Sequence, residues 1–298
     1  MVRQYKIHTN LDGTDDKVWD VTNGKVRFYQ PSNLGLQSTN NIWQSNGIGV
    51  MGTRSISLAQ IEFKLETFGE SLEENYQLMK DFVNDILNKK FVTLEYQTEI
   101  FQVYADLALA DVTKTEGYGK NGTFSEKITF DVITKWYTYE NLTFDKIKNG
   151  KVIAGKSKIY GGLAPGNYKY IKGISYTYYG ETNIDRLSRW DIKDEIFSFM
   201  GILYPQLPKT PAGIRFLDDI GNEYTAIVFK TEQVQNYILI NTDVNDEIYQ
   251  GWNGTTSLNL FPVMDFERYR TRIIEKGQME LINLSKAEFK IKRKADFV

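Results

Sequence analysis

Cysteine is absent from the 298 residues, and histidine occurs once, at His8. No disulfide framework and no thiolate metal site can exist, and histidine-rich zinc sites are excluded with them. Lack of cysteine fits assembly in a reducing cytoplasm. Charge imbalance is missing as well. The formal net charge is −2, which gives no electrostatic reason to expect a nucleic-acid or anionic-membrane surface. No run approaches the roughly 20 apolar residues that a membrane span requires, and the opening MVRQYKIHTNLDGTDDKVW holds no apolar core of signal-peptide length. The chain does hold 41% apolar residues, 14% of all residues being aromatic. That composition fits an ordered globular protein with room for two cores.

Period-two alternation dominates the patterning. In KITFDVITKWY, residues 127–137, Ile128, Phe130, Val132 and Trp136 share one side and Thr129, Asp131 and Lys135 the other. This predicts a half-buried antiparallel strand. KVWDVTNGKVRFY sets Asn23-Gly24 between two β-rich runs and predicts a hairpin. Residues 31–52 are polar, rich in Gly and Asn and without period, as in a binding loop. Their Leu34, Leu36, Ile42 and Trp43 need cover, either from their own domain or from a neighbouring subunit. RSISLAQIEFKLET changes phase between Ile56-Leu58 and Ile61-Phe63-Leu65, which predicts a bulge near Ala59-Gln60.

One helix is expected after Ser71, with Glu74 at capping-box spacing. Its inward stripe is Leu72, Tyr76, Met79, Val83, Ile86 and Leu87, with Glu73, Gln77, Lys80 and Asp81 outside. FVTLEY and residues 101–109 complete the first sheet. Residues 137–204 concentrate Tyr and other aromatics, with Asn149-Gly150 as a further hairpin signal. Beyond them short strands follow at sandwich spacing: GIRFLD, EYTAIVF, NYILINT, SLNLF, RTRII, GQMELINL and AEFKIKRK. The basic ending Lys290, Lys292, Arg293 and Lys294 reads as the solvated face of a last strand.

Motifs for chemistry fail on their surroundings. Gly47-Ile-Gly-Val-Met-Gly52 spells a dinucleotide fingerprint but lacks the strand before and helix after it. His8 has no nucleophile motif nearby. Asp243-Val-Asn-Asp-Glu-Ile begins like a calcium loop but carries Glu247 and Ile248 where the loop needs other residues. Asp218-Asp219 are adjacent on a strand and point to opposite sides, so they form no glycosidase pair. No catalytic residue, cofactor or metal is expected.

RSISL, SLEENYQLMKDFVNDILNKK, FVTLEY, VYADLALADVTKTE and ITFDVITKWY together resemble the N-terminal domain of siphophage distal tail proteins, most of all those of lactococcal phages. The resemblance implies a mainly β protein with two domains. Residues 1–137 would be an antiparallel sandwich or barrel-like domain with one helix. Residues 138–298 would be a galectin-like sandwich, carrying an arm-like extension within about 140–204. It further implies a structural baseplate hub in the virion, assembled in the host cytoplasm. The hub is a homo-hexameric ring that joins the tail tube protein to a tail-associated tip protein and receptor-binding proteins. Leu34, Leu36, Ile42 and Trp43 become candidates for the subunit interface. Tyr178, Tyr179, Arg189 and Trp190, rich in the residue types that interfaces favour, become candidates for holding a receptor-binding protein. A carbohydrate-binding adhesin using Trp190 or Trp252 is the alternative, and a cell-wall glycosidase a third. Galectin-type sugar binding needs a histidine that this half of the chain lacks.

Overall fold

The computed structural model describes residues 3–13, 15–35, 38–56, 58–114, 123–145, 147–148, 151–152, 158–160, 176–178, 189–193, 195–206, 211–230 and 235–295. The chain forms two compact units, Met1–Thr138 with Ala295–Val298, and Tyr139–Lys294.

Unit 1 contains β1 (Gln4–His8), β2 (Val18–Asp20), β3 (Val26–Ser32), β4 (Ser38–Ser45), β5 (Ile48–Ile56), β6 (Ile61–Thr67), α1 (Leu72–Leu87), β7 (Val92–Gln97), β8 (Gln102–Thr113) and β9 (Ser125–Val132). The first residue of β10 (Tyr137–Asp145) stands opposite Tyr104 of β8. Two antiparallel sheets share the long strand β8. Its first half pairs with β7, which leads to β1 and β2, and its second half pairs with β9, which leads to β6 and β3. Alternation puts Tyr5, Ile7, Leu94 and Tyr96 of one sheet against Phe28, Phe63, Leu65, Ile128 and Phe130 of the other, with Phe82 and Ile86 of α1 completing the core.

Several local expectations need correction. The strand expected over 127–137 ends at Val132, because Ile133 and Thr134 turn aside to donate their backbone N–H to the Asp106 carbonyl. Asn23-Gly24 does not close a hairpin, since β2 pairs with β1 and β3 with β6. Gly24 follows a turn built on Asp20, whose carboxylate accepts from the backbone N–H of Thr22 and Asn23. A Cβ on Gly24 would lie 2.3 Å from the Asp20 carbonyl oxygen. The phase change at residues 59–60 is no bulge. It separates β5 from β6, strands of different sheets.

The helix starts where expected. Ser71 Oγ accepts from the Glu74 N–H at 3.1 Å, while the Glu74 carboxylate reaches back one residue further, to the Glu70 N–H at 2.7 Å. Its buried face is rotated by about 70° from the expected stripe. Asn75, Phe82 and Ile86 are buried, whereas Leu72, Tyr76 and Leu87 face solvent. Asn75 bonds the backbone of Gly69 and Ser71, fixing the chain's entry into the helix.

Unit 2 holds the rest of β10, β11 (Ile147–Lys148), β12 (Lys151–Val152), β13 (Lys158–Tyr160), β14 (Tyr176–Tyr178), β15 (Arg189–Ile192), β16 (Ile196–Pro205), β17 (Ala212–Leu217), β18 (Glu223–Phe229), β19 (Tyr237–Asn241), β20 (Ile248–Asn253), β21 (Thr256–Asn259), β22 (Gly277–Ile282) and β23 (Leu284–Lys294). One sheet runs β15-β22-β17-β18 and another β23-β16-β19-β20-β21. Phe199, Leu203, Ile238, Ile240, Phe289 and Ile291 of the second meet Ile214, Phe216, Ile227, Phe229 and Leu281 of the first.

Strand β16 lies in the middle of its sheet, so residues 196–205 are core and form no part of an extension. RTRII is not a strand. The Arg268 and Arg270–Thr271 backbone crosses β18 instead and bonds Ala226 N–H and the Thr225 hydroxyl. Lys292 is buried rather than solvated, its ammonium 2.8 Å from Asp243 Oδ2. A register shift between Ile196 and Ser198 opposite it breaks the alternation. Asn149-Gly150 lies outside the described residues, between the paired Lys148 and Lys151.

Candidate functional site

Residues 38–56, for which the sequence predicts irregular loop as far as Gly52 and a strand from Arg54, form a two-stranded antiparallel hairpin that pairs with no other strand among the described residues. Its turn is Asn46-Gly47, with φ of 50° and 79°. Positive φ at both central residues is what a type I′ turn requires, and Asn-Gly supplies it with little strain. Trp43 stands opposite Val50 and Ser45 opposite Ile48, so Trp43, Val50 and Ile48 share one face. Ile42 and Met51 share the other.

All of them face solvent, Trp43 at 71%, Ile48 at 70% and Val50 at 62% exposure. The whole arm carries one charge, Arg54, whose Nε donates to Asn40 Oδ1 at 2.8 Å. A lone hairpin is marginal in water, and an apolar one with both edges open is a template for pairing with another chain. This arm can bury itself only against something else.

Among the other residues proposed with it, Leu34 packs against the core of unit 1, and its carbonyl accepts from Trp136 Nε1 at 3.3 Å. Packing on its own domain therefore accounts for Leu34. Leu36 lies outside the described residues.

In unit 2, Trp190 stands opposite Met279 on β15–β22 and packs, half-buried, against the core. Arg189 pairs with Glu280 in the same ladder, and Tyr178 ends β14 opposite Lys158. Tyr179 lies outside the described residues. Trp252 is half-buried and stacked on Tyr237 at 6.1 Å, which occupies one of its ring faces.

The residues that looked chemical have structural work. His8 is buried between Asp16 and Glu95. Burial alone would raise the Glu95 carboxyl, but hydrogen bonds from Lys6 and His8 outweigh it and hold the group below the usual range. Asp218 closes a turn by accepting from the N–H of Ile220 and Asn222. Asp243 sits in an acidic turn whose charge Lys292 neutralises. The GxGxxG residues run from the hairpin turn into β5. Among the described residues no group of three or more acidic or histidine side chains is set to hold a metal. No helix there is long and apolar enough to cross a membrane.

Sequence reasoning missed the half-buried ion-pair network of unit 2. Arg215 donates twice to Glu280 Oε2, at 2.8 and 2.6 Å, and Arg268 grips Glu223 with two bonds of 2.7 and 2.6 Å. The Arg268 bonds hold the Glu223 carboxyl below its ordinary range.

Comparisons with known proteins agree along the whole chain. The family model for the distal tail protein N-terminal domain matches residues 4–133, and that for the Dit C-terminal domain matches residues 135–298. The chain is 94% identical to the distal tail protein of Lactococcus phage p2 over 298 residues, covering 100% of both. It is 92% identical to that of Lactococcus phage SK1, again over 100% of both. A chain in the structure of the phage p2 baseplate in its activated conformation with Ca superimposes with a TM-score of 0.80 at 94% identity, covering 100% of each chain. The SPP1 Dit protein, described as a paradigm of the hub adsorption apparatus in phages infecting Gram-positive hosts, shares the fold. It does so at 10% identity and a TM-score of 0.51, with 98% of this chain and 99% of that one covered. The chain belongs to the distal tail protein family and is a structural baseplate component of the phage virion, not an enzyme.

Proposed function

We propose that the protein forms a closed homo-hexameric ring in the baseplate through residues 1–137. In this reading the hairpin of residues 38–56 is buried against neighbouring copies, with Ile42 and Trp43 at the contact. The observation that carries it is the arm itself, uncharged but for Arg54, apolar on both faces and without cover from its own unit. A head-to-tail contact uses two different patches on each copy, so a closed ring leaves no copy with a bare arm. The number six comes from the family resemblance.

Residues 138–298 supply the galectin-like part. The stretch before β16 holds a receptor-binding protein, and the ring connects the tail tube protein above to the tail-associated tip protein below. Membership in a baseplate family supports these partners at the coarse level. Native mass spectrometry of the full chain tests the ring. A hexamer is the expected species, and a strictly monomeric protein at high concentration would overturn the proposal.

A further inference from the structure

Both ring nitrogens of His8, the sole histidine of the chain, point at carboxylate oxygens. Nδ1 is 2.6 Å from Asp16 Oδ2 and Nε2 is 2.9 Å from Glu95 Oε2. Each contact needs one hydrogen between nitrogen and oxygen. A neutral imidazole carries one N–H, and ionised carboxylates carry none. The second hydrogen requires one further bound proton, which makes the ring an imidazolium between two carboxylates.

The surroundings favour that charge. On β1 the same face carries Lys6, whose ammonium donates to the other Glu95 oxygen at 2.7 Å. On β7, Thr93 stands opposite His8 and Glu95 opposite Lys6. On β8 the next row is Asp106 and Tyr104. The loop after β1 contributes Asp12, Asp15, Asp16 and Lys17, and beyond α1 Lys89 pairs with Asp15 at 3.3 Å. Against the cations Lys6, Lys17 and Lys89 stand the carboxylates of residues 12, 15, 16, 85, 95 and 106. An added positive charge on His8 leaves the cluster closer to neutral.

We infer that the loop carrying Asn10, Asp15 and Asp16 is clasped to the β1–β7 face by this one proton. Asp16 is the moving half of the clasp. Its Oδ1 also accepts from the Asn10 N–H at 2.9 Å, so the same carboxylate shapes the loop and ties it down. Loss of the proton turns one ring nitrogen into a lone pair facing a carboxylate lone pair across less than 3 Å, in a site screened from water. The loop then leaves the face, while the Thr9–Lys17 backbone pair and the Lys17 N–H to Thr9 Oγ1 bond at its base hold the ends together. The sign is fixed by proton count. The closed form with ionised carboxylates binds one proton more than the open form, so closure weakens as that proton is lost on raising the pH.

The full chain labelled with 15N-histidine gives one pair of ring signals, which report directly on His8. While the loop is closed both nitrogens are expected to carry hydrogen. Amide-exchange protection of residues 10–16, corrected for the intrinsic pH dependence of exchange, should fall on the order of tenfold over the range in which the ring loses its second proton. That is the loss expected for one charge-assisted bond. Asp16→Asn keeps an oxygen for the Asn10 N–H and offers an N–H to a neutral ring, so it should keep the loop protected and remove its alkaline opening. A neutral ring with a protected loop would overturn the clasp, as would protection that ignores the His8 titration. An Asp16→Asn protein that opens like the parent would do the same. If that variant does not fold, the two measurements on the parent decide alone.

Discussion

Asp106 shows how much of this molecule rests on single buried polar groups. It is fully buried, and its Oδ1 accepts from the hydroxyls of Thr93 and Tyr137, both at 2.7 Å. Asp106→Ala strands two buried hydroxyls at roughly 1–3 kcal/mol each, so the variant should lose about 3 kcal/mol in urea unfolding, and Asp106→Asn clearly less. Glu95 and Glu223 give acid sensitivity. Both carboxyls are held below their ordinary range in the folded chain, so they add stability that is present above the unfolded value of about 4.3 and lost as pH falls through the lower folded value. Denaturation midpoints should drop below that pH, and Glu223→Gln should shallow the drop for unit 2. None of this was legible in the sequence. Lys6 and Glu95 are 89 positions apart and Arg215 and Glu280 are 65 apart, and a charged residue in a strand looks the same whether its partner waits across the sheet or not.

At the scale of elements, legibility follows how local the signal is. The start of α1 is written in four consecutive residues, and Ser71→Ala should cost about 1 kcal/mol in thermal unfolding with the rest of the helix intact. Which face of α1 is buried depends on the strands beneath it. Tyr76 and Phe82 are equally apolar choices to a reader of the sequence, and only the seat against Phe28 and Trp19 selects Phe82. As far as Gly52 the β4–β5 hairpin left no alternation to read, because burial of one face is what writes a period of two into a strand, and among the described residues neither of its faces is buried by its own chain. Its Asn46-Gly47 turn was nonetheless present, while the Asn23-Gly24 pair that drew attention lies in a turn between sheets. Gly47→Val should destabilise the arm alone, leaving the far-ultraviolet signal of both cores unchanged while reducing assembly.

The whole molecule was legible at a different level, through the order of strand, helix and aromatic-ended strand that marks its family, although the arm within that frame read as loop. If the arm is the ring contact, its apolar side chains from Ile42 to Met51 contribute to assembly and almost nothing to the folded monomer, since each is at least half exposed there. Replacing Trp43 and Val50 on one face and Ile42 on the other by Ser, Thr and Gln removes three anchors from every interface without opening a cavity in unit 1. Aromatic anchors at interface centres are worth roughly 2 kcal/mol or more, about a thirtyfold weakening for Trp43 alone, and a ring compounds the loss because every contact carries the same change. The triple variant is therefore expected as a monomer in native mass spectrometry at concentrations where the parent is hexameric, with the unfolding midpoint of its monomer matching that of monomeric parent protein at low concentration. A variant that stays hexameric would remove the arm from the ring contact. One whose monomer melts several degrees lower would show that the arm folds back onto its own chain.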